Sequence, residues 1–195
     1  MSNSAVKQTL PMPIEDFLSF AERRPKHERW ELLNGAPLMM VGGTEGHALI
    51  LGNLLTALRT AAQKRGCRAM TGLFTRARDD SMFEPDVVIR CGSLDPRRRY
   101  ADDPTVVFEV LSPSTMRYDR GVKFERYCEI PSLRQIAFVY QDSVRVESWS
   151  RETDEWDKEA TVLVSLDESL AIAAIETDLP LTAIYEDVAD ALRRR

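Results

Sequence analysis

Apolar and polar positions follow two different periods along the chain, and the longer period predicts helices. Residues 14–22 and 45–64 repeat apolar side chains at helical spacing. Thr44 is a favourable N-cap for the second segment, and Gly66 marks its end. Helices are also predicted over residues 116–130 and 181–192.

Shorter apolar segments have the length and composition of β-strands. Residues 30–33 and 37–41 flank Asn34-Gly35, a dipeptide typical of tight hairpin turns because both residues tolerate positive φ. Residues 106–111 are almost continuously apolar, as in a strand covered on both faces. The segment 92–104 is predicted as a loop. Other predicted strands are 67–71, 73–78, 85–90, 135–140, 143–149, 156–164 and 170–175.

Alternating strands and helices predict one α/β domain with a mixed sheet, spanning residues 13–192 after a flexible tail over residues 1–12. The 195 residues suffice for one sizeable core. No apolar run reaches the roughly 18 residues of a membrane-spanning helix, and the N-terminus lacks a signal-peptide pattern. We therefore expect a cytoplasmic protein.

The net charge and the composition of the chain limit the nucleic-acid and metal partners that we expect. With 26 Lys and Arg against 31 Asp and Glu, the net charge is -5, which argues against coating nucleic acid by bulk electrostatics. The basic loop 97–99 is either a local phosphate contact or a solubilising segment. Cys67, Cys91 and Cys128 lack metal-site spacing and are expected to be reduced. Two histidines are too few for a multi-histidine zinc site.

Glu109 is the most informative residue, because it interrupts a strand that is otherwise apolar on both faces, TVVFEVL (105–111). Burying an ionised carboxylate without a partner costs several kcal/mol. The position therefore calls for a cation, a hydrogen-bond network or a metal ion. A glutamate at a strand end that reaches solvent is the structural alternative.

Asp86 offers a second carboxylate at the head of a neighbouring strand. It follows Pro85, and proline is tolerated where a strand begins. Carboxylates on adjacent strands supply the hard oxygen ligands that Mg²⁺ takes from proteins. Pro-Asp is also common in turns, so the prediction depends on Glu109 as well.

Lys123 lies in the helix that follows the Glu109 strand. Arg120, Lys123 and Tyr127 have the spacing that shares one face of an α-helix. A lysine there would orient an attacking water or neutralise charge on a phosphodiester. The mixed charges of this helix are equally typical of a solvated surface.

These residues together resemble the Uma-type family of proposed restriction endonucleases, within the PD-(D/E)XK nuclease superfamily. The resemblance covers roughly residues 13–149. Its specific part is the EVLSPST run followed by DRGxK, whereas Pro-Asp alone is not specific. The matching segments are IEDF (14–17), WELLNG (30–35), His47, PD (85–86), FEVLSPST (108–115), DRGVK (119–123) and Tyr127.

The resemblance implies a restriction-endonuclease-like core, a central mixed β-sheet flanked by helices, with Asp86 and Glu109 as ligands of Mg²⁺ or Mn²⁺. The superfamily motif has a lysine two positions after the glutamate, where this chain has Leu111. In this family the lysine has moved to the following helix, which makes Lys123 its counterpart here. DNA is the implied substrate.

Two further residues are assigned through the same resemblance. Glu31 matches the family's upstream acid and is a metal- or water-positioning candidate; an ordinary hairpin residue is its alternative. His47, in the first turn of the long helix, is a water- or phosphate-contacting candidate; a satisfied core histidine is its alternative. A serine nucleophile at Ser112 is disfavoured, because the chain has no G-x-S-x-G motif.

The sequence thus predicts a metal-dependent endonuclease that hydrolyses phosphodiester bonds in DNA. The alternative is a catalytically silent member of the fold that serves in binding or assembly. We also expect a homodimer, because cutting both DNA strands takes two active sites and because the C-terminal hairpins carry Trp and Tyr as apolar surface.

Overall fold

The computed structural model describes residues 11–40 and 42–193. Most of the predicted tail, and Val41 at the end of the predicted hairpin, lie outside the described residues. Met12 is already part of the fold, since its N–H donates to the Gly35 carbonyl at 2.8 Å. The helices are α1 (Ile14–Glu22), α2 (Glu45–Lys64), α3 (Met116–Tyr118), α4 (Phe124–Cys128), α5 (Leu181–Ile184) and α6 (Ala189–Leu192).

The strands form three sheets, two of them mixed. The six-stranded sheet has the order β11-β10-β9-β8-β6-β3, in which only β8 and β9 are parallel. The five-stranded sheet has the order β2-β1-β5-β4-β7, and β12 pairs with β13. The strands are β1 (Arg29–Leu33), β2 (Ala36–Met40), β3 (Cys67–Met70), β4 (Phe74–Arg78), β5 (Ser81–Phe83), β6 (Val87–Cys91), β7 (Tyr100–Ala101), β8 (Val106–Leu111), β9 (Gln135–Tyr140), β10 (Val146–Ser150), β11 (Thr161–Leu163), β12 (Ser169–Ile172) and β13 (Thr177–Pro180). The predicted fold class, mixed β-sheet flanked by helices, is confirmed.

Different elements cover the two faces of β8. Phe108 and Val110 belong to the core that contains the buried side of α2, whereas Val107 and Leu111 belong to the core that contains Tyr127 of α4. Side chains alternate along a strand, so Glu109, two residues from both Val107 and Leu111, points to the face that those two residues share. Glu109 is therefore directed towards the segment that contains α4.

The register between β6 and β8 brings two acids together. Val87 pairs with Phe108 and Val88 pairs with Val107 in antiparallel fashion. If this register is continued by one more pair, Asp86 lies opposite Glu109. Directly opposed residues of an antiparallel pair project to the same side of the sheet.

The helix predicted over residues 116–130 is not continuous. A kinked segment, Asp119–Lys123, separates α3 from α4, and Gly121 inside it has the non-helical angles φ -97° and ψ -111°. Arg120 bonds to Glu147 on β10, whereas Lys123 bonds to Glu31, so these two residues do not share the predicted face.

The predicted loop 92–104 and the predicted helix 181–192 also differ from the observed structure. The predicted loop 92–104 contains the short strand β7, which exists through parallel pairing with β4. The helix predicted over residues 181–192 is divided into α5 and α6. Asp187, between them, has φ 63°, a left-handed conformation that ends a right-handed helix.

The cysteines also correct the sequence-based picture. Cys67 and Cys91 face each other across β3 and β6 and form a disulfide, so their predicted reduced state is wrong in this structure. Trp149 of the C-terminal hairpin is half-buried against Phe124 and Phe138. Within the described ranges, no helix is both long enough and apolar enough to span a membrane.

Candidate active site

A cleft of about 510 Å³, its open mouth included, lies between β1, the head of β6, β8 and the kinked helical segment. All five residues singled out from the sequence line it, although they are spread over more than ninety positions of the chain. The five are Glu31, His47, Asp86, Glu109 and Lys123. The fold therefore brings the predicted site residues together.

Lys123 lies at the centre of a buried ion-pair network. Its Nζ is 2.8 Å from Glu31 Oε1, 2.9 Å from Glu109 Oε1 and 3.7 Å from Asp119 Oδ1. The side chain is only 2% exposed, so it is not a solvated surface lysine. Burial by itself would lower the pKa of Lys123, but the charges of Glu109, Glu31 and Asp119 raise it well above the usual value. The ammonium is therefore protonated at neutral pH.

Glu31 enters the cleft from β1. Its Oε1 accepts hydrogen bonds from Lys123 Nζ at 2.8 Å and from the Glu84 N–H at 3.1 Å. Its Oε2 is buried and has no hydrogen-bond partner among the described residues. A buried carboxylate oxygen that lacks a partner is costly and retains the capacity to accept a bond or a cation.

Glu109 is fully enclosed between Lys123 and Tyr127. The Tyr127 hydroxyl donates to Glu109 Oε1 at 2.6 Å. Burial raises the pKa of Glu109; the charge of Lys123 opposes this shift, and the charge of Asp86 adds to it. The carboxylate is thus held in place by two donors and sits in a locally negative environment.

Asp86 is oriented from three directions. Its Oδ2 accepts the Val110 N–H at 2.8 Å and lies 3.3 Å from His47 Nε2, while Arg29 reaches its Oδ1 at 3.5 Å. Burial favours a higher pKa for Asp86, but His47, the Val110 N–H and Arg29 together hold it below the ordinary value. Asp86 is therefore ionised at neutral pH.

His47 is directed at Asp86 by the start of α2. The Thr44 side chain accepts the His47 N–H at 3.2 Å and caps the helix. Gly43 allows the ring to sit close to the backbone, since a Cβ at that position would lie 2.8 Å from His47 Nδ1. The ring edge faces the cleft and not the leucines of α2.

Three residues that were not assigned a site role from the sequence also belong here. Arg29 and Asp119 line the cleft, and Tyr127 bonds to Glu109. For two of them, the sequence spacing to a predicted site residue could have indicated a place in the site. Asp119 is four residues before Lys123, and Arg29 is two residues before Glu31 on the same face of β1.

The basic loop 97–99 is not among the residues that line this cleft. Arg98 bonds to Asp102, and Arg99 pairs with Glu22 of α1 at 2.6 Å. Neighbouring acids thus neutralise the loop, and the predicted phosphate contact beside Asp86 and Glu109 is not supported.

Acidic side chains outnumber basic ones along the cleft. Their oxygen atoms suit hard divalent cations such as Mg²⁺ and Mn²⁺. Within the part of the chain that the structure describes, however, no group of three or more His, Cys, Asp or Glu residues is arranged to hold a metal. Two of these carboxylates, Asp86 and Glu109, could hold such an ion, although Glu109 Oε1 already accepts bonds from Lys123 and Tyr127. The acids are Glu31, Glu84, Asp86, Glu109 and Asp119, and the bases are Arg29 and Lys123.

The fold matches that of a protein known from a crystal structure. A protein from Anabaena variabilis ATCC 29413, described as "a putative nuclease belonging to DUF820", superposes with a TM-score of 0.72, covering 91% of this chain and 99% of its own at 15% identity. The family model Uma2, "Putative restriction endonuclease", matches residues 14–182. The chain belongs to this family, as its sequence resemblance predicted.

Two curated proteins of Synechocystis sp. (strain ATCC 27184 / PCC 6803 / Kazusa) are similar to this chain. The uncharacterized protein slr1290 is 32% identical over 146 residues, which are 72% of this chain and 74% of the relative. The uncharacterized protein sll1609 is 26% identical over 132 residues, which are 65% and 75% of the two chains.

Proposed function

We propose that this protein is a divalent-metal-dependent endonuclease that hydrolyses phosphodiester bonds in DNA. Asp86 and Glu109 are the proposed ligands of Mg²⁺ or Mn²⁺, Lys123 is the proposed catalytic cation, and Glu31 and His47 complete the site. Membership of the Uma2 family and the nuclease fold support the reaction class.

The contact between Lys123 and Glu109 carries this proposal. A buried lysine and a buried strand glutamate meet at 2.9 Å beside Asp86, in a chain that has Leu111 where the superfamily motif has its strand lysine. A structural ion pair alone would not need Asp86 and His47 in the same cleft. The arrangement supports a lysine that acts from the helical segment in place of one on the strand.

A bound divalent ion would supply positive charge at the phosphoryl oxygen and activate water. Asp86 and Glu109 present oxygen atoms from adjacent strands, and His47 and the Val110 N–H fix the Asp86 carboxylate. Because Lys123 is protonated, it acts as a hydrogen-bond donor that orients water or neutralises developing charge, and not as a general base.

Glu31 has a positioning role in this scheme. Its Oε1 holds the Lys123 ammonium against Glu109 and is itself fixed by the Glu84 N–H. Its second oxygen has no hydrogen-bond partner among the described residues. This atom is available to a water molecule at the site.

A cleavage assay over metals and substrates tests the proposal. Labelled duplex DNA, single-stranded DNA and RNA are incubated with the protein in Mg²⁺, Mn²⁺ or EDTA. We expect metal-dependent internal cleavage of DNA by the wild type and by Glu125→Ala, an exposed acid on α4, and none by Glu109→Ala. Equal cleavage by both variants, or none by the wild type, would favour the silent binding or assembly module. The predicted homodimer is checked on the same samples by light scattering.

A further inference from the structure

Arg29 is the one cationic side chain of the described cleft lining that solvent reaches. Its side chain is 37% exposed, against 2% for Lys123. Lys123 is buried among the carboxylates of Glu31, Glu109 and Asp119, whereas Arg29 is open to solvent. The cleft has an acidic excess, so binding of a polyanionic substrate requires an accessible cation beside the metal ligands.

The hydrogen bonds of Arg29 leave much of its donor capacity unused. One amino group donates to the Glu84 carbonyl at 3.1 Å, and the other makes only a long contact of 3.5 Å to Asp86. Its Nε is buried and has no hydrogen-bond partner among the described residues, although Glu84 Oε1 is 3.6 Å away. A guanidinium has five donors in a planar fork that matches two phosphate oxygens.

The strand β1 fixes the direction of Arg29. Residues two apart on a strand share a face, so Arg29 and Glu31 both project into the cleft. Glu31 holds Lys123, and Arg29 lies beside Asp86. The charges of Glu84 and Asp86 outweigh burial and raise the pKa of Arg29, so the guanidinium is charged throughout the physiological range.

We propose that Arg29 binds the substrate through the non-bridging oxygens of a backbone phosphate next to the proposed metal ligands. This inference rests on the proposed endonuclease function and adds a substrate contact that does not depend on the basic loop 97–99. The amino group that makes only the long contact to Asp86 is the donor available to this phosphate.

Binding of a fluorescent 12-nucleotide DNA strand, followed by anisotropy over a range of salt concentrations, tests this inference. Arg29→Gln should raise the Kd about tenfold or more and reduce the slope of log K against log salt by about 1. Arg29→Lys retains the charge but not the fork, so it should restore the salt slope and only part of the affinity. Arg59→Gln, an exposed charge on α2 outside the cleft, is the matched control.

The same variants in the cleavage assay separate this inference from the proposed function. We expect Arg29→Gln to raise KM more than it lowers kcat. If the wild type cleaves DNA and Arg29→Gln binds like Arg59→Gln, the inference is overturned while the endonuclease proposal stands. If the wild type neither binds nor cleaves DNA, both are overturned.

Discussion

The ammonium of Lys123 lies 2.9 Å from Glu109 Oε1, and both side chains are buried. Glu109 comes from the centre of the six-stranded sheet, and Lys123 comes from the kinked segment that follows it. This contact joins a proposed metal ligand to the proposed catalytic cation.

Removing the cation should destabilise the protein strongly. Lys123→Met leaves Glu31 and Glu109 buried without their cationic partner, and breaking such a pair costs about 3–5 kcal/mol. Lys64→Met, an exposed lysine at the end of α2, should change stability by less than about 0.5 kcal/mol. Urea denaturation of the two variants measures both values. Equal midpoints would contradict the buried network.

The hydroxyl of Tyr127 should contribute to stability through Glu109. Tyr127→Phe removes the 2.6 Å hydrogen bond and leaves the ring in its core, so we expect a loss of about 1–3 kcal/mol. The measurement is the free energy of unfolding in urea. A variant as stable as the wild type would show that the hydroxyl does not hold the carboxylate.

Divalent ions should stabilise the folded protein by mass action. At an Mg²⁺ or Mn²⁺ concentration about a hundredfold above Kd, the Tm should rise by roughly 5–10 °C. Asp86→Ala should abolish this increase, whereas Asp154→Ala, an exposed loop acid, should retain it. The proposed ligand set is wrong if all three proteins respond to the ion alike.

Acid should weaken the contact between Arg120, in the kinked segment 119–123, and Glu147 on β10. Burial would raise the pKa of Glu147, but hydrogen bonds from Arg145 and Arg120 hold it below the ordinary value of 4.5. A lowered pKa means that this stabilisation is present above pH 4.5 and is lost as the pH falls through the folded-state pKa.

Stability measured between pH 6 and pH 3 checks this assignment. We expect Glu147→Gln to be less stable than the wild type at pH 6 and to lose less stability on acidification. Glu125→Gln, on the exposed side of α4, serves as the control and should follow the wild type. Parallel curves for all three proteins would show that Glu147 does not cause this loss of stability in acid.

Much of the site was predictable because its acids interrupt strong local patterns. A glutamate in the apolar run of β8 and an aspartate after proline at the head of β6 are visible without tertiary structure. Their alignment across the sheet follows from strand register, which Val87 and Phe108 specify by burial on one face. The long helix α2 was likewise predicted with its observed bounds.

Other features depend on contacts that no local pattern encodes. The kink within residues 119–123 lies at Gly121, and a glycine in a helical pattern does not by itself predict a kink. The burial of Lys123 follows from where β1 places Glu31, and β1 is in a different sheet from Glu109. The Cys67–Cys91 bridge similarly depends on the pairing of β3 with β6, which places the two residues directly opposite each other.

Single-turnover cleavage of a labelled DNA duplex in Mn²⁺ tests the central claim most directly, with wild type, Lys123→Met and Glu109→Ala compared under conditions where each is folded. The account predicts cleavage by the wild type and a rate lower by roughly 10²-fold or more in both variants. Equal rates in all three proteins would indicate a contaminating nuclease and contradict the account. Loss in Glu109→Ala alone would retain the metal site and remove the catalytic role of Lys123.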